Sequence, residues 1–156
     1  MIITTNNLNE ARKQILKFKK EKPDSKEKIA LLSQDDEFNR KALEIKGLNM
    51  LIINENLDIK DYMKQRNSGL NEILAKICAD KNIEIGIQIK EIIKKEDIEK
   101  AHSLARLQQN IILCKRTNTK LIFITEGKAD RLALQSILLA LGANTKQAFE
   151  STKEAF

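Results

Sequence analysis

The stretch from Arg66 to Lys90, RNSGLNEILAKICADKNIEIGIQIK, decides the fold. It passes from turn residues into an apolar-periodic segment and ends with isoleucine at every second position: Ile83, Ile85, Ile87 and Ile89. Period two marks a strand, and the spacing of three to four before it marks a helix. Between the isoleucines stand Glu84, Gly86 and Gln88. A parallel strand with helices over both faces reads as a continuous apolar run. Here one face is polar, so the two faces of this strand meet different surroundings.

The same alternation runs outward in both directions. Ile2 and Ile3 form a short first strand, and Asn6 or Asn7 caps a helix with Leu8, Ala11, Ile15 and Phe18 on one side. Pro23 and Asp24 mark a turn. KIALLS (28–33) is a second strand. Ser33 to Asp36 reads as a capping box before Phe38, Ala42 and Ile45, with Gly47 ending that helix at positive φ. LNMLIIN (48–54) is a third strand, followed by the polar connection ENLDIKDYMKQRN (55–67). Ser68 is read as the N-cap of a helix with a buried stripe of Leu70, Ile73, Leu74 and Ile77, and Asn82 takes its left-handed end. After the isoleucine strand, a long helix from about Glu96 to Lys115 turns Ile98, Ala101, Leu104, Ala105, Leu107, Ile111 and Cys114 inward. KLIFITEG (120–127) is a fifth strand, ADRLALQSILLALG (129–142) a helix ended by Gly142, and ANTKQAFESTKEAF (143–156) a last helix with Thr145 as cap.

Strands alternating with helices imply a parallel sheet with right-handed crossovers, either doubly wound or curled into a barrel. A complete eight-unit barrel takes about 250 residues, so 156 residues make part of one. The expected fold is therefore α/β, a partial TIM-like barrel of five to six parallel strands, with residues 1–156 as one domain. In it the isoleucines pack beneath the helices, while Glu84, Gly86 and Gln88 point inward or toward a partner. A buried Glu84 then requires a basic side chain or ordered water beside it. The alternative is an edge strand with one wet face.

The net charge of +6 and pI near 9.3 suit a polyanionic partner, although lysine also serves solubility. Aromatic residues at 4% argue against a reader built on base stacking. Cys78 and Cys114 lie far apart with no C-x-x-C, which fits buried thiols rather than a zinc site. The opening MIITTNNLNEARK has no apolar signal region, and no apolar run approaches a membrane span. A reducing, cytoplasmic setting is the expectation.

Motifs for dinucleotide binding, the Walker loop and the nucleophile elbow are missing. Gly127 could open backbone N–H groups to a phosphate, but a turn glycine is the plainer reading. His102, the only histidine, sits mid-helix without a neighbouring partner, as a surface residue would. Glu55 and Glu126 at strand ends, with Glu84, are the carboxylates a magnesium site could use. The cations group more usefully. Lys60, Lys64 and Arg66 precede Ser68, where charge and exposed N–H groups both favour phosphate. Lys90, Lys94 and Lys95 follow the isoleucine strand, and Lys115, Arg116 and Lys120 close the long helix, a position that suits cations even without a ligand.

The run RNSGLNEILAKICADKNIEIGIQIKEII resembles a segment of the thirty-kilodalton protein subunit family of ribonuclease P, called component 3 in archaea. AHSLARLQQNIILCKRTNTKLIFITEG is similar to the family's long Arg-containing helix and following strand, and LALQSILLALGANTKQA to its L-x-x-L-G helix and the helix after it. The resemblance runs from about Asn49 to the C-terminus. It implies a TIM-barrel-like fold related to PHP-type phosphoesterases without their metal cluster, hence no catalytic residue and no metal of its own. It implies a subunit of the ribonucleoprotein endonuclease, a hydrolase, that removes 5′ leaders from precursor tRNA. There the RNA carries the chemistry with Mg²⁺, and the protein stabilises the catalytic RNA beside an RRM-like partner subunit and other ribonuclease P proteins. The residues expected to meet RNA are Lys64, Arg66, Ser68, Lys90, Lys94, Lys115, Arg116, Lys128 and Arg131.

The sequence departs from the family pattern in places. Thr125-Glu126-Gly127 stands where the family has Ser-Ser-Gly or Thr-Ser-Gly, and KADRLA replaces an Arg-x-Pro-x-Asp motif, with Ala133 near the Asp position. Residues 1–47 match weakly, and Phe156 is reached before the family's last strand. Two other readings stand beside this one: a small Mg²⁺-dependent phosphoesterase using Glu55, Glu84 or Glu126, and a structural module offering a sheet edge to a partner.

Overall fold

A computed structural model describes residues 1–56, 60–61, 63, 66–125 and 130–153. The elements run β1 (Ile2–Ile3), α1 (Leu8–Glu21), β2 (Ala30–Leu32), α2 (Asp36–Ala42), β3 (Met50–Ile53) and α3 (Glu72–Asp80). They continue with β4 (Glu84–Gln88), α4 (Ile89–Ile93), α5 (Asp97–Thr117), β5 (Leu121–Ile124), α6 (Arg131–Ala140) and α7 (Thr145–Ser151). The strands pair in parallel in the order β1-β2-β3-β4-β5. A sheet wound in one direction, each strand beside its predecessor, is the partial TIM-like barrel expected; a doubly wound sheet would reverse its strand order.

Register assigns every side chain a face. Leu31, Leu51, Ile85 and Leu121 stand in one row, and Ile53, Ile87 and Phe123 in another. They join Ile83 and Ile89 in the main core beneath the helices, with Leu74, Leu107 and Ile111. The opposite, inner face carries a second core of Ala30, Met50, Ile52, Ile122 and Ile124, with Leu32 against it. Glu84 aligns with Met50, Gly86 with Ile52 and Ile122, and Gln88 with Ile124, so β4's polar face is the inner one. The strand lies between β3 and β5, which rules out the wet-edge reading.

Gly86 shows how tightly the inner face curls. A Cβ there would come within 2.7 Å of Met50 Sδ and 2.9 Å of Ile124 Cδ1. Side chains from β3 and β5 close over the glycine between them.

Several local expectations are corrected. The isoleucine strand is shorter than 83–89: Ile89 begins α4. Ser33 caps no helix; its Oγ accepts from the N–H of Asn54, and Asp35 caps α2 through Phe38. That helix ends at Ala42, so Gly47, at φ +95°, shapes the turn into β3 instead. Asn71, not Ser68, caps α3 by accepting from the N–H of Leu74. Of the expected stripe, Leu70 and Leu74 are buried and Ile77 packs against the core, but Ile73 is 65% exposed; Ala75 and Cys78 complete the inward face. Ile98, at 69%, and Ala101 are exposed too. A helix of 21 residues is about 31 Å long, and the first turns of α5 overhang the short strands; its inward stripe is Ser103, Leu107, Asn110, Ile111 and Cys114. Asn144 rather than Thr145 caps α7. Asn7, Asn82 (φ 54°) and Gly142 (φ 98°) act as expected.

Gly86→Val should lower stability by about 1–3 kcal/mol through overpacking, measured by urea unfolding. An unchanged midpoint would mean that the inner face is not closed over β4.

Candidate nucleic-acid interface

The polar sites lie at the two ends of the sheet. Where the strands begin, Glu84 is buried on the inner face. Ile85 pairs with Leu121, which sets Lys120 beside Glu84. Lys28 Nζ donates to Glu84 Oε2 at 2.7 Å and Lys120 Nζ to Oε1 at 2.9 Å. The basic neighbour that a buried Glu84 demands is thus a pair of lysines from the turns before β2 and β5.

Where the strands end, the connection after β3 is held against α5. Arg66 N–H donates to Gln109 Oε1, and Gln109 Nε2 donates to Arg66 O and Ser68 Oγ. Asn110 Nδ2 donates to Ser68 O. Asp61 takes Arg66 Nη1 at 2.8 Å, Arg106 Nε at 3.1 Å and the N–H of Asn67. Burial pushes the Asp61 carboxyl up, but the hydrogen bonds from Arg66, Asn67 and Arg106 outweigh it and hold the group at about 2. Close by, Lys95 Nζ donates to Glu55 O at 2.5 Å and to Ser103 Oγ at 2.8 Å, with Glu55 Oε2 at 3.8 Å. Burial raises the Glu55 carboxyl despite Lys95.

This geometry separates the carboxylates of the magnesium reading. Glu84 is level with Met50, and Glu55 lies five residues further along β3's path, roughly 16 Å at strand rise. The two do not converge, and Lys95 already lies against Glu55. Glu126 and Gly127 lie outside the described residues. Among the described residues no group of three or more His, Cys, Asp or Glu could hold a metal. His102 is exposed on α5. Cys78 and Cys114 are free and buried, and burial pushes both thiols up to about 12. No described helix is long and apolar enough to cross a membrane.

The expected RNA-contacting residues do not form one surface. Arg66 is tied to Asp61, and Lys94 to Glu91 at 2.8 Å. Lys90 is exposed on α4. Arg131 starts α6 and donates to Lys153 O. These lie toward the strand C-termini. Lys115 and Arg116 end α5, whose chain leads straight into β5, and so lie at the other end. Lys115 donates to Gly142 O, and Arg116 is 3.8 Å from Glu72. Ser68 is buried within the clamp, its Oγ donating to Leu70 O. Lys64 and Lys128 lie outside the described residues. Sequence reasoning missed Asp61, Arg106 and Gln109, whose partners are far away in the chain. It also missed Lys28, although a lysine just before a strand was there to be read.

Fold and charge together define a (β/α) protein of the barrel kind, wound in one direction, with basic side chains at both ends of its strands and no assembled catalytic set among the described residues. No family model matches the chain. It is similar to ribonuclease P protein component 3 of Methanococcus vannielii, with 27% identity over 128 residues, 82% of this chain and 50% of the relative. Proteins of the same name from Methanococcus maripaludis strains C7 and C6 are 26% identical over 129 residues. The chain spans about half the length of these curated relatives. One chain of a cryo-EM structure of archaeal ribonuclease P with mature tRNA shares the fold, at a TM-score of 0.75 and 18% identity over 97% of this chain and 63% of that one.

Two outcomes test the site's geometry. Asp61 is held below its unfolded value near 3.9, so its contribution to stability is complete above about pH 4 and is lost as pH falls toward 2. Asp61→Asn should therefore flatten the acid limb of an unfolding-versus-pH curve, and an unaltered limb would contradict the Arg66 and Arg106 contacts. Glu84→Gln should cost about 1–3 kcal/mol in urea unfolding, since both lysines keep part of their hydration. A cost near zero would show that the pairing adds nothing.

Proposed function

We propose that this chain is a protein subunit of ribonuclease P that binds and stabilises the catalytic RNA for removal of 5′ leaders from precursor tRNA. The observation that carries the proposal is the similarity to component 3 proteins over 82% of the chain, joined to the shared fold with a chain of archaeal ribonuclease P. In this reading the RNA performs the cleavage with Mg²⁺, the protein contributes cations to phosphate, and an RRM-like subunit and further ribonuclease P proteins are its partners. The setting is cytoplasmic, and residues 1–156 act as one domain. The basic charge of +6 supports a polyanionic partner.

Reconstitution tests it. Ribonuclease P RNA and the remaining protein subunits are assembled with and without this chain, and leader removal from a precursor tRNA is followed. The proposal expects faster cleavage with the chain present and none by the chain alone. Identical rates with and without it would refute the proposal, and phosphodiester turnover by the purified chain would favour the phosphoesterase reading instead.

A further inference from the structure

The α–β turns, which run from each helix end to the start of the next strand, all carry lysine. Lys26 and Lys28 lie between α1 and β2, Lys46 between α2 and β3, Lys81 between α3 and β4, and Lys120 between α5 and β5. In a parallel sheet wound in one direction these turns all emerge at the strand N-termini. Side-chain interactions tie them to one another. Lys28 and Lys120 share Glu84. Lys81 donates to Leu43 O and pairs with Glu44, two residues before Lys46. The side chain of Lys19, in the last turn of α1, lies against Gly47.

The two ends of the sheet differ in how their cations are used. Toward the strand C-termini, Arg66 and Arg106 face Asp61, Lys94 faces Glu91 and Lys95 faces Glu55, while Arg131 donates to the carbonyl of Lys153. At the strand N-termini, Glu84 is shared by two lysines, and Glu27 by the N-terminal ammonium and Lys22. Lys26 and Lys46 there are exposed and have no ion pair among the described residues. Helix dipoles explain lysines in the final turn of a helix but act only within that turn. They do not account for Lys26, Lys28, Lys46 or Lys120, which lie past the helix ends. Beside β5 this surface also has a recess between the end of α5 and α7, lined by Lys115, Lys120 and Lys146 with Asn118 and Asn144. Glu150 also lines it and offsets one of the cations.

We infer that the face at the strand N-termini, opposite the end where barrel enzymes place their active sites, is the surface that docks on RNA phosphates. The inference rests on the ribonuclease P reading and names the face within it. Binding is to the backbone of folded RNA: the face offers ammonium groups and side-chain amides, and no aromatic residue lines the recess.

Two variants of equal charge change test it. One is Lys26→Gln, Lys46→Gln, Lys115→Gln and Lys146→Gln, at the strand N-termini and in the recess beside them. The other is Lys90→Gln, Lys94→Gln, Lys100→Gln and Arg131→Gln, at the opposite end. Binding of a ribonuclease P RNA transcript is followed by fluorescence anisotropy between 50 and 200 mM salt, and thermal melts confirm that both variants fold. The first should bind at least about ten-fold more weakly, with a salt slope shallower by about 0.7–0.9 for each phosphate that is no longer neutralised. The second should stay within about two-fold of the unaltered chain. A larger loss in the second variant, equal losses, or no loss in either overturns the inference and leaves the ribonuclease P reading standing. If the unaltered chain binds no RNA, the ribonuclease P reading itself fails.

Discussion

The pairing of Glu84 with Lys28 and Lys120 is the constraint around which the inner face is arranged. A carboxylate among apolar side chains is costly to bury unless a cation meets it. Here two cations come from turns that sequence separates by 56 and 36 residues from the glutamate. The parallel register brings them there: with Ile85 beside Leu121, Lys120 falls next to Glu84. Higher on the same strand the need changes. Gly86 leaves room for Met50 and Ile124, and Gln88 stands half-buried at the rim, level with Ile124. The polar face of β4 thus meets three different demands along one curled sheet: neutralised charge, space and hydration.

That arrangement also bears on function. Toward the strand C-termini Arg66, Arg106, Lys94 and Lys95 are turned onto carboxylates, and Gln109 and Asn110 grip the backbone around Arg66 and Ser68. Those hydrogen bonds hold the backbone of Arg66 and Ser68 against α5. At the strand N-termini the carboxylates are fewer than the lysines around them. The lysines of the α–β turns lie at the end where a barrel has short turns and little loop variation, which suits docking on a broad polyanion better than enclosing a small substrate.

Much of this fold was legible in the sequence. Period-two isoleucines and helical spacing placed every strand and most helices, and the polar face of β4 already pointed to a basic neighbour for Glu84. The errors share a cause. Ser33 and Ser68 look like caps by residue type, yet the residue that caps is the one whose side chain meets the free N–H groups, and this depends on where the chain leaves the strand. Ile73 was expected inside by residue type, but the inward face of α3 is made by Leu74, Ala75 and Cys78. Ile98 failed for a different reason, because α5 is longer than the sheet it covers. The site was less legible than the fold. Spacing groups cations that are near in sequence, such as Lys90 with Lys94, whereas the interface gathers Lys28, Lys46 and Lys120 from successive turns. Their common feature, a lysine just before each strand, becomes meaningful only once the strands are known to be parallel and in sequential order.

The most direct measurement is ultraviolet crosslinking of the reconstituted complex with ribonuclease P RNA, followed by mass spectrometry of the crosslinked peptides. The account predicts crosslinks in peptides that contain Lys26 and Lys28, Lys46, and Lys115 to Lys120. Crosslinks concentrated instead around Arg66 and from Lys90 to Lys95 would contradict it.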